Sequence, residues 1–155
     1  MTGREAGKCA TCTTPFGPVT LVEAGGILTK VEWRDGGGDN SPLLDEALRQ
    51  LRAYFDGSLT RFDLPFDWGQ GLHERVRRAM AAIPFDETRT YGQIAATVGA
   101  PAQAVGQACG ANPLPIFIPC HRVLGRSGLG GFSAPGGVET KVALLRHEGA
   151  AGLLI

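Results

Sequence analysis

The fold turns on residues 91–125, YGQIAATVGAPAQAVGQACGANPLPIFIPCHRVLG. The first part holds two short runs rich in Ala and Gly, YGQIAATVG and AQAVGQACGA, of helical composition and separated by little more than APA. That spacing suits a helix-turn-helix, and it suits equally two small core helices packed closely through Ala and Gly. The last part, PIFIPCHRVLG at 115–125, is an apolar run bounded by two prolines that delivers Cys120 and His121 side by side. Pro119 fixes its own φ and holds the residue before it extended, so Cys120 leaves a buried segment in a set direction.

The thiol of Cys120 could be a metal ligand, a core residue or a nucleophile. Adjacent residues seldom ligate one ion together, because zinc motifs need spacings nearer C-x-x-C. The segment CATC at 9–12 has that spacing but no second pair, so no metal site is expected at Cys9 and Cys12 or at Cys120. Cys109, inside a helical run, reads as a small apolar filler. A nucleophilic thiol, with an unperturbed pKa of about 8.5, needs a neighbouring base or positive charge. His121 and Arg122 follow at once and supply both.

A third group is needed to orient the imidazole, and the last helical segment, VETKVALLRHEG at 138–149, offers one. At about 100° per residue, Val138, Val142 and Leu145 define its buried stripe, with Glu148 at the edge and His147 on the wetter face. A carboxylate at a buried edge needs a partner, and His121 is a candidate; the alternative is a Glu148 that faces solvent near the helix end.

Further out, LHERVRRAMAAI carries Leu72, Val76, Ala79, Met80 and Ile83 on one face and is stopped by Pro84. In the other direction, SPLLDEALRQLRAYFDG is a helix with Ser41 as N-cap, Pro42 at its first position, an apolar face of Leu44, Ala47, Leu48, Leu51 and Phe55, and Gly57 as terminator. GPVTLVEAGGILTKVEWRDGGG reads as two strands joined by a Gly-Gly turn. These elements divide the chain into an N-terminal α/β domain at 1–69, its first twelve residues a polar tail, and a C-terminal domain at 70–155.

With 155 residues the chain can bury a core without crosslinks. Four cysteines are too few for a disulfide scaffold, so reduced thiols are expected. The apolar stretches fall short of the roughly 18 to 20 residues of a membrane span, and MTGREAGKCATC lacks the apolar core of a signal peptide, so the expected location is the cytoplasm. Net charge is zero. Residues 1–69 nevertheless hold seven basic against ten acidic residues, and 70–155 eight against five, so any polyanion would meet the C-terminal half.

Together these residues resemble the O6-alkylguanine-DNA alkyltransferases, also called methylated-DNA–protein-cysteine methyltransferases. The active-site signature of that family appears as Pro119-Cys120-His121-Arg122-Val123, inside NPLPIFIPCHRVLG. IPFDETRTYGQIA upstream, and GGFSAPGG, Lys141 and LLRHEG downstream, follow in family order. The resemblance implies an α+β fold, a ribonuclease-H-like N-terminal α/β domain packed on a helical C-terminal domain with a winged helix-turn-helix. It implies a single irreversible transfer of an alkyl group from O6 of guanine in double-stranded DNA to Cys120. No metal or organic cofactor is implied, and a monomer is expected.

Carried over by position, His121 would act through a water as base toward Cys120, Glu148 would hold His121, and Asn112 would tie the turn before the active-site strand. Tyr91 and Lys141 would supply the proton demand of the leaving guanine, and the backbone of Ser133 would also meet O6. The carbonyls of Cys120 and Val123 would take the 2-amino group, with Phe132 and Pro115 lining the pocket. Gln103, Ala104, Gly106 and Arg122 would face DNA, the small residues letting the helix backbone approach a groove. Here the sequence departs from the family, whose recognition helix normally begins RAVG; this one reads Gln103-Ala104-Val105-Gly106. Gln lacks the charge and flat cationic face of Arg. Two other classes compete: a non-catalytic DNA-binding sensor of alkyl lesions or transcriptional regulator, which would gain no mass from alkylated DNA, and a thiol hydrolase, which would turn over repeatedly.

Overall fold

The computed structural model describes residues 7–125, 132 and 136–150. The chain divides into two compact units, one ending at Asp67 and the other beginning at Trp68.

The first unit is built on an antiparallel sheet of order β1-β2-β3, with β1 at Lys8–Thr14, β2 at Gly17–Ala24 and β3 at Ile27–Glu32. The Gly-Gly turn between β2 and β3 is as expected: Gly25 and Gly26 have φ of 61° and 84°, left-handed values that side chains disfavour but a tight hairpin requires. The expected polar tail is corrected by β1, which pairs along its whole length from Lys8↔Glu23 to Thr14↔Gly17. Its inward residues, Ala10, Cys12 and Thr14, are small or hydroxylated. The alternation that marks a strand is therefore present but carries too little apolar contrast to be noticed.

Helix α1, Pro42–Phe55, packs against β1 and β2. Ser41 caps it, its Oγ accepting from the Leu44 N–H at 3.0 Å. Leu44, Ala47 and Leu51 are buried as predicted, but Gln50 and Tyr54 complete the face in place of Leu48 and Phe55. The buried amide is satisfied by backbone: Gln50 Nε2 donates to the Asp63 carbonyl at 3.1 Å, and the Asp63 N–H donates to Gln50 Oε1 at 2.9 Å. That exchange pins the extended segment after α1, which continues as a bridge between Leu28 and Phe66.

The second unit contains α2 (Gly71–Ala81), β4 (Arg89–Thr90), α3 (Tyr91–Val98), α4 (Ala102–Gly110), β5 (Val123–Leu124) and α5 (Val138–His147). Helices α2, α3 and α4 pack on one another. Gly99, at φ 74°, ends α3 and lets Pro101 open α4, so the two Ala/Gly-rich helices form the helix-turn-helix. β4 and β5 pair in parallel, Arg89 with Val123 and Thr90 with Leu124, which sets the start of α3 beside the end of the Cys-His segment.

The register of α5 keeps Leu145 of the predicted stripe and corrects Val138 and Val142. Val138 is 41 % exposed, and the buried residues are Thr140, Lys141, Leu144 and Leu145, with Glu148 following. A lysine stands at the middle of this face, so an apolar pattern alone rotates the stripe toward the wrong residues.

Thr90 carries a full capping box: its Oγ1 accepts from the Gln93 N–H at 3.1 Å, and the Gln93 side chain accepts from the Thr90 N–H at 2.8 Å. Replacing Thr90 by Ala should cost about 1 kcal/mol, read as a lower urea midpoint.

Candidate active site

Between α4 and β5 the chain runs through a buried apolar segment, Leu114, Ile116, Phe117 and Ile118, and then makes a 3₁₀ turn over Cys120–Arg122. The reversal is tight. Ile116 sits at φ 73°, a strained value for a β-branched residue, and the Ile118 N–H donates to the Leu114 carbonyl at 2.9 Å. Asn112 fastens both sides. Its Oδ1 accepts from the Leu114 N–H at 3.0 Å and its Nδ2 donates to the Ile118 carbonyl at 2.9 Å. The same carbonyl takes the Cys120 N–H at 2.8 Å, so the position of Cys120 is set from Asn112.

At the end of this segment His121 and Glu148 are enclosed, 0 % and 1 % exposed, and their side chains meet at 2.7 Å between Nε2 and Oε2. Burial by itself pushes the Glu148 carboxyl up. Hydrogen bonds from His121 and Arg122 outweigh that effect and hold it at about 2. An ionised carboxylate only accepts, so Nε2 carries the proton and donates it. The imidazole pKa is lowered, first by burial, with the charges of Arg122 and Lys141 acting the same way and Glu148 opposing. The ring is then neutral, and Glu148 is held by the permanent cation of Arg122 without needing a charged His121. The other ring nitrogen, Nδ1, is buried and has no hydrogen-bond partner among the described residues.

Arg122, expected at the DNA surface, is corrected to a buried position, 6 % exposed. Its Nε donates to Glu148 Oε1 at 2.8 Å, its Nη2 to Oε2 at 2.9 Å and its Nη1 to the Ile83 carbonyl at 2.7 Å. Lys141 is fully buried and donates to the Val123 carbonyl at 2.7 Å. Burial pulls its amine down to about 8, against the attraction of the Cys120 and Cys109 thiols.

Cys120 is partly accessible and reduced. Burial is the largest influence on its thiol and raises its pKa; a hydrogen bond from Asn112 and the charge of Lys141 lower it without overcoming burial. At rest the group is a protonated thiol that needs a base. Cys109 is buried and its thiol is pushed up to about 12, which fits a filler. The Tyr91 phenol is likewise raised, by burial and then by the neighbouring Cys109 and Cys120 thiols.

Tyr91 also lines a cleft of about 600 Å³ together with Thr90, Gly92, Ala102, Gln103 and Gly106, between the first turns of α3 and α4. Gln103 is exposed there, while Ala104 and Gly106 are half-buried. Pro115 belongs to the buried run and Phe132 is half-buried; Ser133 lies outside the described residues. The structure thus joins Cys120, His121, Glu148, Asn112, Lys141 and Val123 in one hydrogen-bonded neighbourhood, with Tyr91 beside it through the β4–β5 pairing.

Comparisons with known proteins identify the family. Residues 71–150 match the family model described as 6-O-methylguanine DNA methyltransferase, DNA binding domain, and residues 8–68 match its ribonuclease-like domain. The chain belongs to the O6-methylguanine-DNA methyltransferase family. Its fold is accordingly α+β, a ribonuclease-like N-terminal domain followed by a helical DNA-binding domain. Among the relatives of this methyltransferase-family chain is the methylated-DNA–protein-cysteine methyltransferase of Mycobacterium tuberculosis, 43 % identical over 89 % of this chain and 90 % of the relative. The constitutive Bacillus subtilis protein of the same name is 38 % identical over 89 % and 93 %. The crystal structure of Mycobacterium tuberculosis OGT in complex with DNA superposes with a TM-score of 0.80 at 41 % identity, covering 93 % of this chain and 94 % of the other.

Asn112 offers a direct check on how the site is held. In Asn112→Ala the Leu114 N–H and Ile118 carbonyl lose buried partners, at roughly 1–3 kcal/mol of stability. The Cys120 thiol also loses a hydrogen bond that lowers its pKa, so its alkylation by iodoacetamide should need a higher pH than in the wild type.

Proposed function

We propose that Cys120 accepts the alkyl group from O6 of guanine, with His121 as its base and Glu148 as the group that orients His121. The observation that carries this reading is the buried 2.7 Å contact between His121 and Glu148, next to a protonated, partly accessible thiol. The chain is a direct-reversal DNA repair protein that works by alkyl transfer, and DNA is its partner.

In the proposed step the Sγ–H proton passes to His121 Nδ1 through a water, and the thiolate attacks the alkyl carbon. The carbon–O6 bond breaks and its electron pair stays with the guanine. A single proton, supplied by the Tyr91 hydroxyl or by Lys141, lets the base leave as a neutral species. Lys141, with a pKa of about 8, is close enough to neutrality to give up a proton at modest cost. The product is a thioether, a bond stable enough that each molecule acts once.

A base stacked in a duplex cannot reach this thiol, so the nucleotide must be flipped out, at a few kcal/mol. The α4 face bearing Gln103, Ala104 and Gly106 meets the DNA, and the cleft shared by Gln103 and Tyr91 is where the flipped base enters. We place the protein in the cytoplasm as a monomer acting on duplexes that carry O6-alkylguanine. The sensor reading is not favoured, since a protein that only binds lesions has no use for a thiol with a neutral imidazole beside it.

Two measurements bear on the assignment. Cys120→Ser should transfer no methyl group from an O6-methylguanine duplex while keeping wild-type affinity for it; labelled methyl on Cys109 or Cys9 would refute the role of Cys120. Gln103→Arg should repair the same duplex faster than the wild type, because an Arg fills the vacated stack with a flat cation. An unchanged or slower rate would mean that Gln103 does not limit flipping.

A further inference from the structure

Arg122 is a buried cation bonded through three of its guanidinium donors, and the transfer reaction does not use it. Its guanidinium places three donors on three acceptor oxygens, two of Glu148 and one of Ile83. The fork of Nε and Nη2 takes both oxygens of Glu148, at 2.8 and 2.9 Å, and Nη1 takes the Ile83 carbonyl just beyond α2, at 2.7 Å. The guanidinium carbon also lies 5.8 Å from the centre of the Phe85 ring. Burial leaves it unavailable for a phosphate.

The fork constrains the carboxylate in a way that one hydrogen bond could not. A carboxylate held only by His121 can rotate about its terminal torsion and present either oxygen. Held bidentately by a planar guanidinium it has one orientation, and in that orientation Oε2 is 2.7 Å from His121 Nε2. Because Oε2 accepts from both Arg122 and His121, the imidazole proton is drawn to Nε2 and the lone pair is left on Nδ1. The anchor to the Ile83 carbonyl fixes where the fork itself stands.

We propose that Arg122 is a positioning residue for alkyl transfer, clamping Glu148 so that His121 is kept as the neutral Nε2–H tautomer with Nδ1 open to the thiol proton. The proposal rests on the reading of Cys120 and His121 given above. Its electrostatic side follows from the groups that face His121: Glu148 and Lys141 from α5 and its end, and Arg122 and Cys120 within the same turn. Arg122 and Lys141 disfavour the imidazolium, and Glu148 favours it. Removing the Arg122 charge therefore raises the His121 pKa, and the pH below which the base is lost moves upward.

The test is single-turnover methyl transfer from an O6-methylguanine duplex across the pH range, for wild type, Arg122→Ala and Arg122→Lys, with Cys120→Ser in parallel. Arg122→Ala should slow transfer by roughly ten- to a hundredfold, the usual size of effect when a group that orients a functional histidine is removed. It should also shift the acid limb of the profile to higher pH. Arg122→Lys keeps the charge but not the fork, and should slow transfer while leaving the acid limb near its wild-type position.

Placed in the Cys120→Ser background, Arg122→Ala should leave DNA affinity and its salt dependence unchanged, which a phosphate contact would not. Should the alanine variant not fold, nitrogen NMR of His121 in the wild type decides: a neutral Nε2–H ring at pH 7.5 is expected, and an imidazolium or an Nδ1–H ring overturns the proposal. Wild-type rates in both Arg122→Lys and Arg122→Ala, or an unmoved acid limb in Arg122→Ala, overturn it too. Methyl transfer surviving in Cys120→Ser instead overturns the reading beneath it.

Discussion

The second unit is organised around one buried anion. Glu148 lies just past the end of α5, almost wholly out of water, and a carboxylate in that position is tolerable only if both oxygens are met. Meeting them draws in His121 and Arg122 from a 3₁₀ turn 27 and 26 residues earlier in the chain, and through Arg122 the Ile83 carbonyl beyond α2. Three separate pieces of sequence thus close on one carboxylate. Because the nucleophile is the next residue in the same turn, the bonds that satisfy the anion also decide where the thiol stands.

This arrangement separates two electrostatic tasks. Arg122 keeps Glu148 ionised, so the imidazole is free to remain neutral while still donating to the carboxylate. Burial raises the Cys120 thiol and lowers Lys141, which leaves a protonated nucleophile and a nearby amine at about 8. A resting site built in this way holds few exposed charges, and the reaction consists mainly of moving protons between groups already in place. The backbone contributes the rest: Asn112 clamps the strained turn at Ile116, and the β4–β5 pair brings Tyr91 alongside.

Much of this was legible from residue order. The two Ala/Gly helices, the Gly-Gly hairpin and the Ser41-Pro42 helix start all carry turn or capping chemistry that acts locally. Cys120 and His121 are a thiol and a base side by side in the sequence, whereas Glu148, at the edge of a helix face, could as well meet solvent, and its role follows only from the family resemblance. What escaped notice depended on polar groups inside the core. Lys141 and Glu148 sit on the buried face of α5, so an apolar stripe drawn through Val138 and Val142 is turned away from the true one. Gln50 replaces Leu48 because it bonds the Asp63 backbone, and β1 was hidden by its small side chains. Arg122 is the sharpest case: carried over by position it is expected to face DNA, and only the three-dimensional closure on Glu148 shows it to be internal.

The departure at Gln103 lies on the exposed face of α4, away from the charged core of the site. A change at this position can therefore leave the buried thiol and its base undisturbed. The central claim, that Cys120 is a nucleophile used once, is tested most directly by intact-mass analysis and peptide mapping after incubation with excess O6-methylguanine duplex. The account predicts one methyl group per chain, on Cys120, and no further repair afterwards; continued turnover, or a chain of unchanged mass beside repaired DNA, would contradict it.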